Sequence, residues 1–262
     1  MCRLLGVVSA RSPRPLPELL DGELEPFAAL SDVHCDGWGI AHRNAADDLV
    51  LDRAPEPARD SPAFRAAVQS ARTGAAILHL RKASVGMANL VANTHPFIAG
   101  DVAFAHNGFF SPRAAVDDLL KDASGRVCAG DTDSERYFAL VLAELRHHGP
   151  VLALARAASR IAAVTQVVSL NALLLTRQAL YAFACYDEGV ITAQGGHPDT
   201  YVLRFRPGRD DVIVASSGWQ QPTPLWGIID NVTILEVRRG DLKTTMHRNL
   251  LEPPDTGLQH RR

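Results

Sequence analysis

The chain has 262 residues, 47% of them hydrophobic, enough to bury a substantial core in one large domain or two small ones. Lys and Arg number 27 against 29 Asp and Glu, a net charge of -2, and the basic residues are scattered. That balance argues against a nucleic-acid binder or a polybasic membrane anchor. Four cysteines, Cys2, Cys35, Cys128 and Cys185, lie far apart with no C-x-x-C pair, which argues against a zinc ribbon, a thioredoxin motif or a disulfide framework. The N-terminus has no basic region followed by a long apolar stretch, and no apolar run reaches the roughly 18 residues of a membrane helix. The expectation is a reduced, cytoplasmic enzyme or binding protein.

In chain order, Cys2 to Ser9 is apolar and partly β-branched and predicts a strand at the very start, followed by a Pro-rich loop from Ser12 to Pro17. Gly37 to His42 predicts a second strand. Ser61-Pro62 is a helix start, serine as cap and proline in the first turn, with Gly74 as its end. Ala75–Leu80 and Val102–His106 predict buried strands, the latter ending at Asn107-Gly108, and Ser111-Pro112 repeats the helix-start signal. Thr132-Asp-Ser-Glu135 is a capping box: the threonine hydroxyl takes one free N–H and Glu135 reaches back to another. The helix behind it buries Tyr137, Phe138, Val141 and Leu145, and Gly149-Pro150 stops it. Val151 to Ala163 predicts an Ala-rich helix. Strands are then expected over Ala172–Thr176, Leu180–Cys185, Tyr201–Phe205, Val212–Ser216 and Val232–Val237. Strands at both ends with two long helices between them point to α+β layers in a single domain over 1–262, with a folded core over 1–247 and a frayed tail over 248–262.

Four features carry chemistry. Removal of Met1 would leave Cys2 with a thiol and a free α-amine on one residue, nucleophile and base together; unperturbed values near ~8.5 and ~7.7–8.0 let the amine take the thiol proton. His106-Asn-Gly108 offers an amide side chain and a glycine N–H, two donors for an oxyanion; the same Asn-Gly pair is also the strongest short signal for a type I′ turn. Arg81, at the exit of a buried strand, suits either a substrate carboxylate or a structural ion pair. Asp133, in the first turn of a helix, suits either a substrate ammonium or a simple charge–dipole role. Taken together, these are the groups that glutamine hydrolysis requires. The ten histidines show no metal-ligand spacing, and no metal is expected.

The stretches Met-Cys2-Arg-Leu-Leu-Gly6, His34-Cys-Asp-Gly-Trp-Gly39, His79-Leu-Arg-Lys-Ala-Ser84, Asn93-Thr-His-Pro-Phe97, Phe104-Ala-His-Asn-Gly108 and Asp131-Thr-Asp-Ser-Glu135 occur in an order that resembles the class II (N-terminal nucleophile) glutamine amidotransferases. The pattern is closest to small single-domain bacterial members and similar to the γ-glutamyl amidohydrolase of ergothioneine biosynthesis. The resemblance implies a four-layer αββα sandwich of the N-terminal nucleophile hydrolase type. It implies that Cys2 attacks a γ-glutamyl amide to form a thioester and that Asn107 and Gly108 form the oxyanion hole. Arg81, with Ser84 nearby, would hold the substrate α-carboxylate, Asp133 and the Gly108 carbonyl the α-amine, and Asp36 to Gly39 would line the pocket. His95 and His106 are implied as structural supports. No cofactor is expected. The substrate is a γ-glutamyl metabolite, or free glutamine whose ammonia passes to a separate synthetase partner. A catalytically silent binding module would have lost Cys2, Asn107 or Asp133, and all three are present. The sequence departs from the family pattern at Val85 and over Ala215 to Pro224, where Trp219 and several prolines are expected to shape an apolar rim for a bulky leaving group, unless Trp219 and Trp226 belong to the core.

Overall fold

The computed structural model describes residues 1–11, 13–84, 86–123 and 128–250. Val85 and most of the expected tail, from 251 on, lie outside the described residues. The chain opens with β1 (Arg3–Ser9), all of it buried. Strand alternation sends Leu4 and Val8 between the two sheets and Leu5 and Val7 under helices, so β1 is apolar on both faces. After β2 (Arg14–Pro15) come α1 (Leu16–Leu19), α2 (Leu24–Ala29), β3 (Gly37–Arg43) and β4 (Leu49–Ala54).

Next, α3 (Pro62–Ser70) starts as its sequence predicts, the Ser61 hydroxyl accepting from the Phe64 N–H at 2.9 Å. It ends at Ser70 rather than at Gly74, because β5 (Arg72–Thr73) leaves to pair with β2. Then follow β6 (Ala75–Arg81), β7 (Phe97–Ala99) and β8 (Val102–Ser111). The expected end at Asn107-Gly108 is corrected here. β8 continues to Ser111, held against β9 (Gln166–Leu175) with a register shift between Phe109 and Phe110, so no type I′ turn forms. Both residues sit in a paired strand, which fixes their direction more firmly than a turn would.

Among the described residues three helices lie between β8 and β9: α4 (Arg113–Ala123), α5 (Asp133–Leu145) and α6 (Pro150–Val164). As expected, Tyr137, Phe138 and Val141 are buried and Leu145 packs against the same core. Gly149-Pro150 stops α5 and also starts α6, with Pro150 in its first turn. The remaining elements are β10 (Ala179–Ala184), α7 (Glu188–Ala193), β11 (Leu203–Pro207), β12 (Asp211–Ser216), β13 (Gly227–Ile229), β14 (Thr233–Arg238) and β15 (Thr244–His247). Tyr201, expected in a strand, lies in a 3-10 turn before β11.

The strands form two large antiparallel sheets, ordered β13-β11-β12-β1-β6-β3-β4 and β15-β14-β10-β9-β8-β7. Their facing sides share one core, with Leu4, Ile77, Val212 and Val214 from the first sheet against Leu173, Leu175, Leu180 and Leu235 from the second. Burying each such side chain contributes roughly 1.5–3 kcal/mol. Leu16, Leu19, Phe27 and Phe64 cover the outer face of the first sheet, and residues of α4, α5 and α6 cover that of the second. The result is an α+β, four-layer αββα sandwich. Among the described residues no helix is long and apolar enough to cross a membrane.

Candidate active site

Cys2 precedes β1, beside the last residues of β6, and its N–H donates to the Asn107 Oδ1 at 2.9 Å. That bond ties the first sheet to the second, since Asn107 lies in β8. The Asn107 Nδ2 is buried without a hydrogen-bond partner among the described residues. A buried amide donor left free is uncommon and calls for an explanation. One carboxamide thus orients the Cys2 nitrogen with its oxygen and keeps its N–H groups available. Gly108 has no room for any other residue, because a Cβ there would lie 1.9 Å from the Ser169 carbonyl oxygen.

The Cys2 sulfur rests on the backbone of Lys82, 3.5 Å from its nitrogen and 3.7 Å from its carbonyl oxygen. Burial pushes the thiol above its ordinary pKa; the terminal ammonium, the Lys82 N–H and Arg81 oppose that, and Asp133 adds to it. A thiol held neutral in this way needs a base before it can attack.

Arg81 is 2% exposed. Its hydrogen bonds among the described residues go to neutral oxygens: the carbonyls of Asp36 and Ala88, both at 3.3 Å, and the Asn89 side chain at 2.8 Å. Among the described residues no carboxylate occupies its fork, so the structural ion pair left open by the sequence is not formed there. Burial lowers its pKa, opposed by Cys2 and Asp36, and a guanidinium stays charged throughout. Asp36 braces the same loop, its carboxylate accepting from the Ala83 N–H at 2.8 Å and the Asn89 Nδ2 at 3.1 Å. Ser84 lies on that loop, exposed, its carbonyl closing a turn to Met87.

Asp133 begins α5 and is buried, one oxygen taking the Ser134 N–H at 2.9 Å and the other the Phe110 N–H at 3.2 Å. The capping box forms only in its first half. Thr132 accepts from the Glu135 N–H at 3.1 Å, but the Glu135 carboxylate takes the N–H groups of Ala129 at 2.9 Å and Gly130 at 2.7 Å instead of reaching its own cap. The preceding loop folds back over the helix start, where Asn93 also holds the Asp131 N–H at 2.8 Å, and its free donors are nearer to the carboxylate.

His106 supports the strand that carries Asn107. Its Nε2 lies 3.0 Å from the Ser169 carbonyl, which can only accept, so Nε2 carries the proton and Nδ1 accepts from Ser134 Oγ at 2.8 Å. His79 and His95 come closer to Cys2 than their motifs suggest: one nitrogen of each lies within 4.8 Å of the other's and of the Cys2 sulfur. The signal was present in β6, where alternation with Ile77 puts His79 and Arg81 on the inner face. Burial holds both imidazoles well below their ordinary pKa, and they are neutral.

The two tryptophans take the second of the places that the sequence left open for them. Trp219 and Trp226 do not form a free rim. The Trp219 indole donates to Glu23 at 2.6 Å and packs edge-on to Phe27, and Trp226 is buried in the outer core. Cys185 is buried and pushed up to about 12, an inert thiol.

The sequence profile of the class-II glutamine amidotransferases matches residues 1–200. Over 152 residues the chain is 32% identical to an uncharacterized protein of Methanocaldococcus jannaschii, covering 55% of this chain and 39% of that one. Over 151 residues it is 29% identical to the glutamine–fructose-6-phosphate aminotransferase (isomerizing) of Aliivibrio fischeri, covering 57% and 23%. The chain therefore spans less than half the length of these relatives. Among solved structures, a glutamine aminotransferase class-II domain protein of Silicibacter pomeroyi superposes with a TM-score of 0.67 at 21% identity, over 96% of this chain and 100% of that one. The glutamine phosphoribosylpyrophosphate amidotransferase of B. subtilis gives 0.64 at 15% identity, over 94% and 49%. These likenesses show the fold, and with the profile match over residues 1–200 the chain belongs to the class-II glutamine amidotransferase family.

Proposed function

We propose that the protein is an amidohydrolase that cleaves a γ-glutamyl amide through a thioester on Cys2. The observation that carries this reading is the Asn107 carboxamide, with its oxygen 2.9 Å from the Cys2 nitrogen and its own N–H groups buried and unpaired among the described residues. Met1 is removed, and the Cys2 nitrogen becomes a free amine. That amine takes the thiol proton as the sulfur attacks the γ-carbonyl. The oxyanion receives the Asn107 Nδ2 and Gly108 N–H groups. Collapse of the tetrahedral intermediate expels ammonia or an amine, which takes the proton back from the Cys2 ammonium. Water then hydrolyses the thioester, releasing glutamate and the free thiol. Arg81 holds the substrate α-carboxylate, with Ser84 nearby, and Asp133 with the Gly108 carbonyl holds the α-amine.

The test is glutamate release by Met1-free protein from glutamine and a panel of γ-glutamyl amines, together with mass spectrometry after an electrophilic glutamine analogue. The reading expects a single adduct on Cys2, and stoichiometric labelling elsewhere would overturn it. A second reading, a glutaminase that supplies ammonia to a synthetase, is favoured by the greater length of relatives such as the A. fischeri aminotransferase, of which the chain covers 23%. Slow hydrolysis of every γ-glutamyl amine, with glutamine turnover rising when a partner is added, would select it.

A further inference from the structure

We propose that Cys2, His79 and His95 form a binding site for a thiophilic divalent cation of the zinc class, and that occupancy silences the nucleophile. The silencing rests on Cys2 being the nucleophile; the binding does not. The sulfur and one nitrogen from each imidazole lie within 4.8 Å of one another, and all three residues are buried. One thiolate and two imidazoles are a donor set that zinc and cobalt take in preference to magnesium or calcium. His95 Nδ1 and His79 Nε2 are 2.9 Å apart and share one proton. Two nitrogens on a tetrahedral zinc stand about 3.3 Å apart, and a sulfur and a nitrogen about 3.6 Å, given the usual bond lengths. The histidine pair therefore opens by a few tenths of an ångström to admit the ion.

The pair also has unspent capacity. Among the described residues His95 Nε2 is buried without a hydrogen-bond partner, and His79 Nδ1 has no well-aligned one, only the His106 backbone close to its ring. When a cation takes the two facing nitrogens, the proton between them relocates to the far nitrogen of the ring that held it. The Cys2 thiol loses its proton to solvent, so one divalent ion enters as one proton leaves. The fourth tetrahedral position stays open. A thiolate bound to zinc has its lone pair committed to the metal and does not attack an amide.

The experiment titrates chelator-treated protein with Co²⁺, which gives a sulfur-to-cobalt charge-transfer band only when a thiolate binds. One equivalent should produce the band, one equivalent of Zn²⁺ should erase it, and Cys2→Ala should show none. His95→Gln and His79→Gln should each weaken binding at least about tenfold. As a check that needs no variant, Zn²⁺ should protect Cys2 from iodoacetamide in the wild-type chain, reversed by EDTA. Absence of the band, an equal band in Cys2→Ala, or undiminished alkylation under saturating Zn²⁺ overturns the site. Glutamate release measured without metal is a separate readout, so a band in a protein that hydrolyses nothing keeps the site and removes the amidohydrolase reading.

Discussion

A single carboxamide at position 107 does two things that the proposed chemistry separates. Its oxygen fixes the Cys2 nitrogen, and its buried N–H groups have no partner among the described residues. Asn107→Ala should therefore lower kcat by about 10²- to 10³-fold, the usual cost of losing one oxyanion donor. Cys2→Ala should stop glutamate release with the circular dichroism spectrum unchanged; turnover persisting in Cys2→Ala would assign the attack to another residue. Arg81 poses a different question, because among the described residues its hydrogen bonds go only to neutral oxygens, with the Asp36 carboxylate acting on it through space. Arg81→Lys should raise KM at least about tenfold, an ammonium being unable to reproduce the two-pronged contact with a carboxylate. A wild-type KM in this variant would mean that the α-carboxylate binds elsewhere.

At the scale of elements, two close contacts set the geometry of the site. β3 approaches the segment after Asn93 so closely that a Cβ on Gly39 would lie 2.1 Å from the His95 carbonyl oxygen. Neither partner is the end of a flexible side chain, so Gly39→Ala must displace backbone. The expected result is a Tm several degrees lower and impaired turnover, and an unchanged melting curve would show that the contact yields freely. The start of α5 is the other. Thr132→Ala removes its cap and should cost about 1 kcal/mol in urea unfolding. Activity should fall as well, since Asp133 is the first residue of that helix and takes the Phe110 N–H across to β8.

For the whole molecule, acid is the informative perturbation. In the chain that keeps Met1, whose carbonyl oxygen lies 2.7 Å from His34 Nδ1, burial, followed by the charge of Arg3, lowers His34 from its ordinary 6.5 to about 4. As pH falls through 6.5 the unfolded chain binds this proton first, so the folded state loses stability from pH 6.5 down to about 4 and keeps the full contribution above that window. Tm should decline over this range, and less steeply in His34→Asn, which has nothing to titrate there. Parallel profiles for the two proteins would remove His34 from the account.

Local chemistry was legible without the fold. The Ser61-Pro62 cap, the buried face of α5 and the stop of α5 before Gly149-Pro150 each depend on a few neighbouring residues, and each formed where the sequence put it, although Pro150 also opens α6. The ordered motifs also led to the αββα class and the family, because spaced motifs record a constellation even when each is weak alone. Tertiary structure decided what depends on distant partners. Asn107-Gly108 reads as a turn in isolation and becomes paired strand because β9 lies alongside it. Glu135 abandons its own cap because a folded-back loop offers nearer donors. Trp219 packs against the core because Glu23 and Phe27 meet it there, and Trp226 is buried edge-on to Trp219. The meeting of Cys2 with His79 and His95 likewise required β6 beside β1, an arrangement set by sheet order. Hydrogen bonds and steric limits between near neighbours are fixed by composition and spacing, whereas the partner of a buried polar group far along the chain is chosen only when the sheets close on each other.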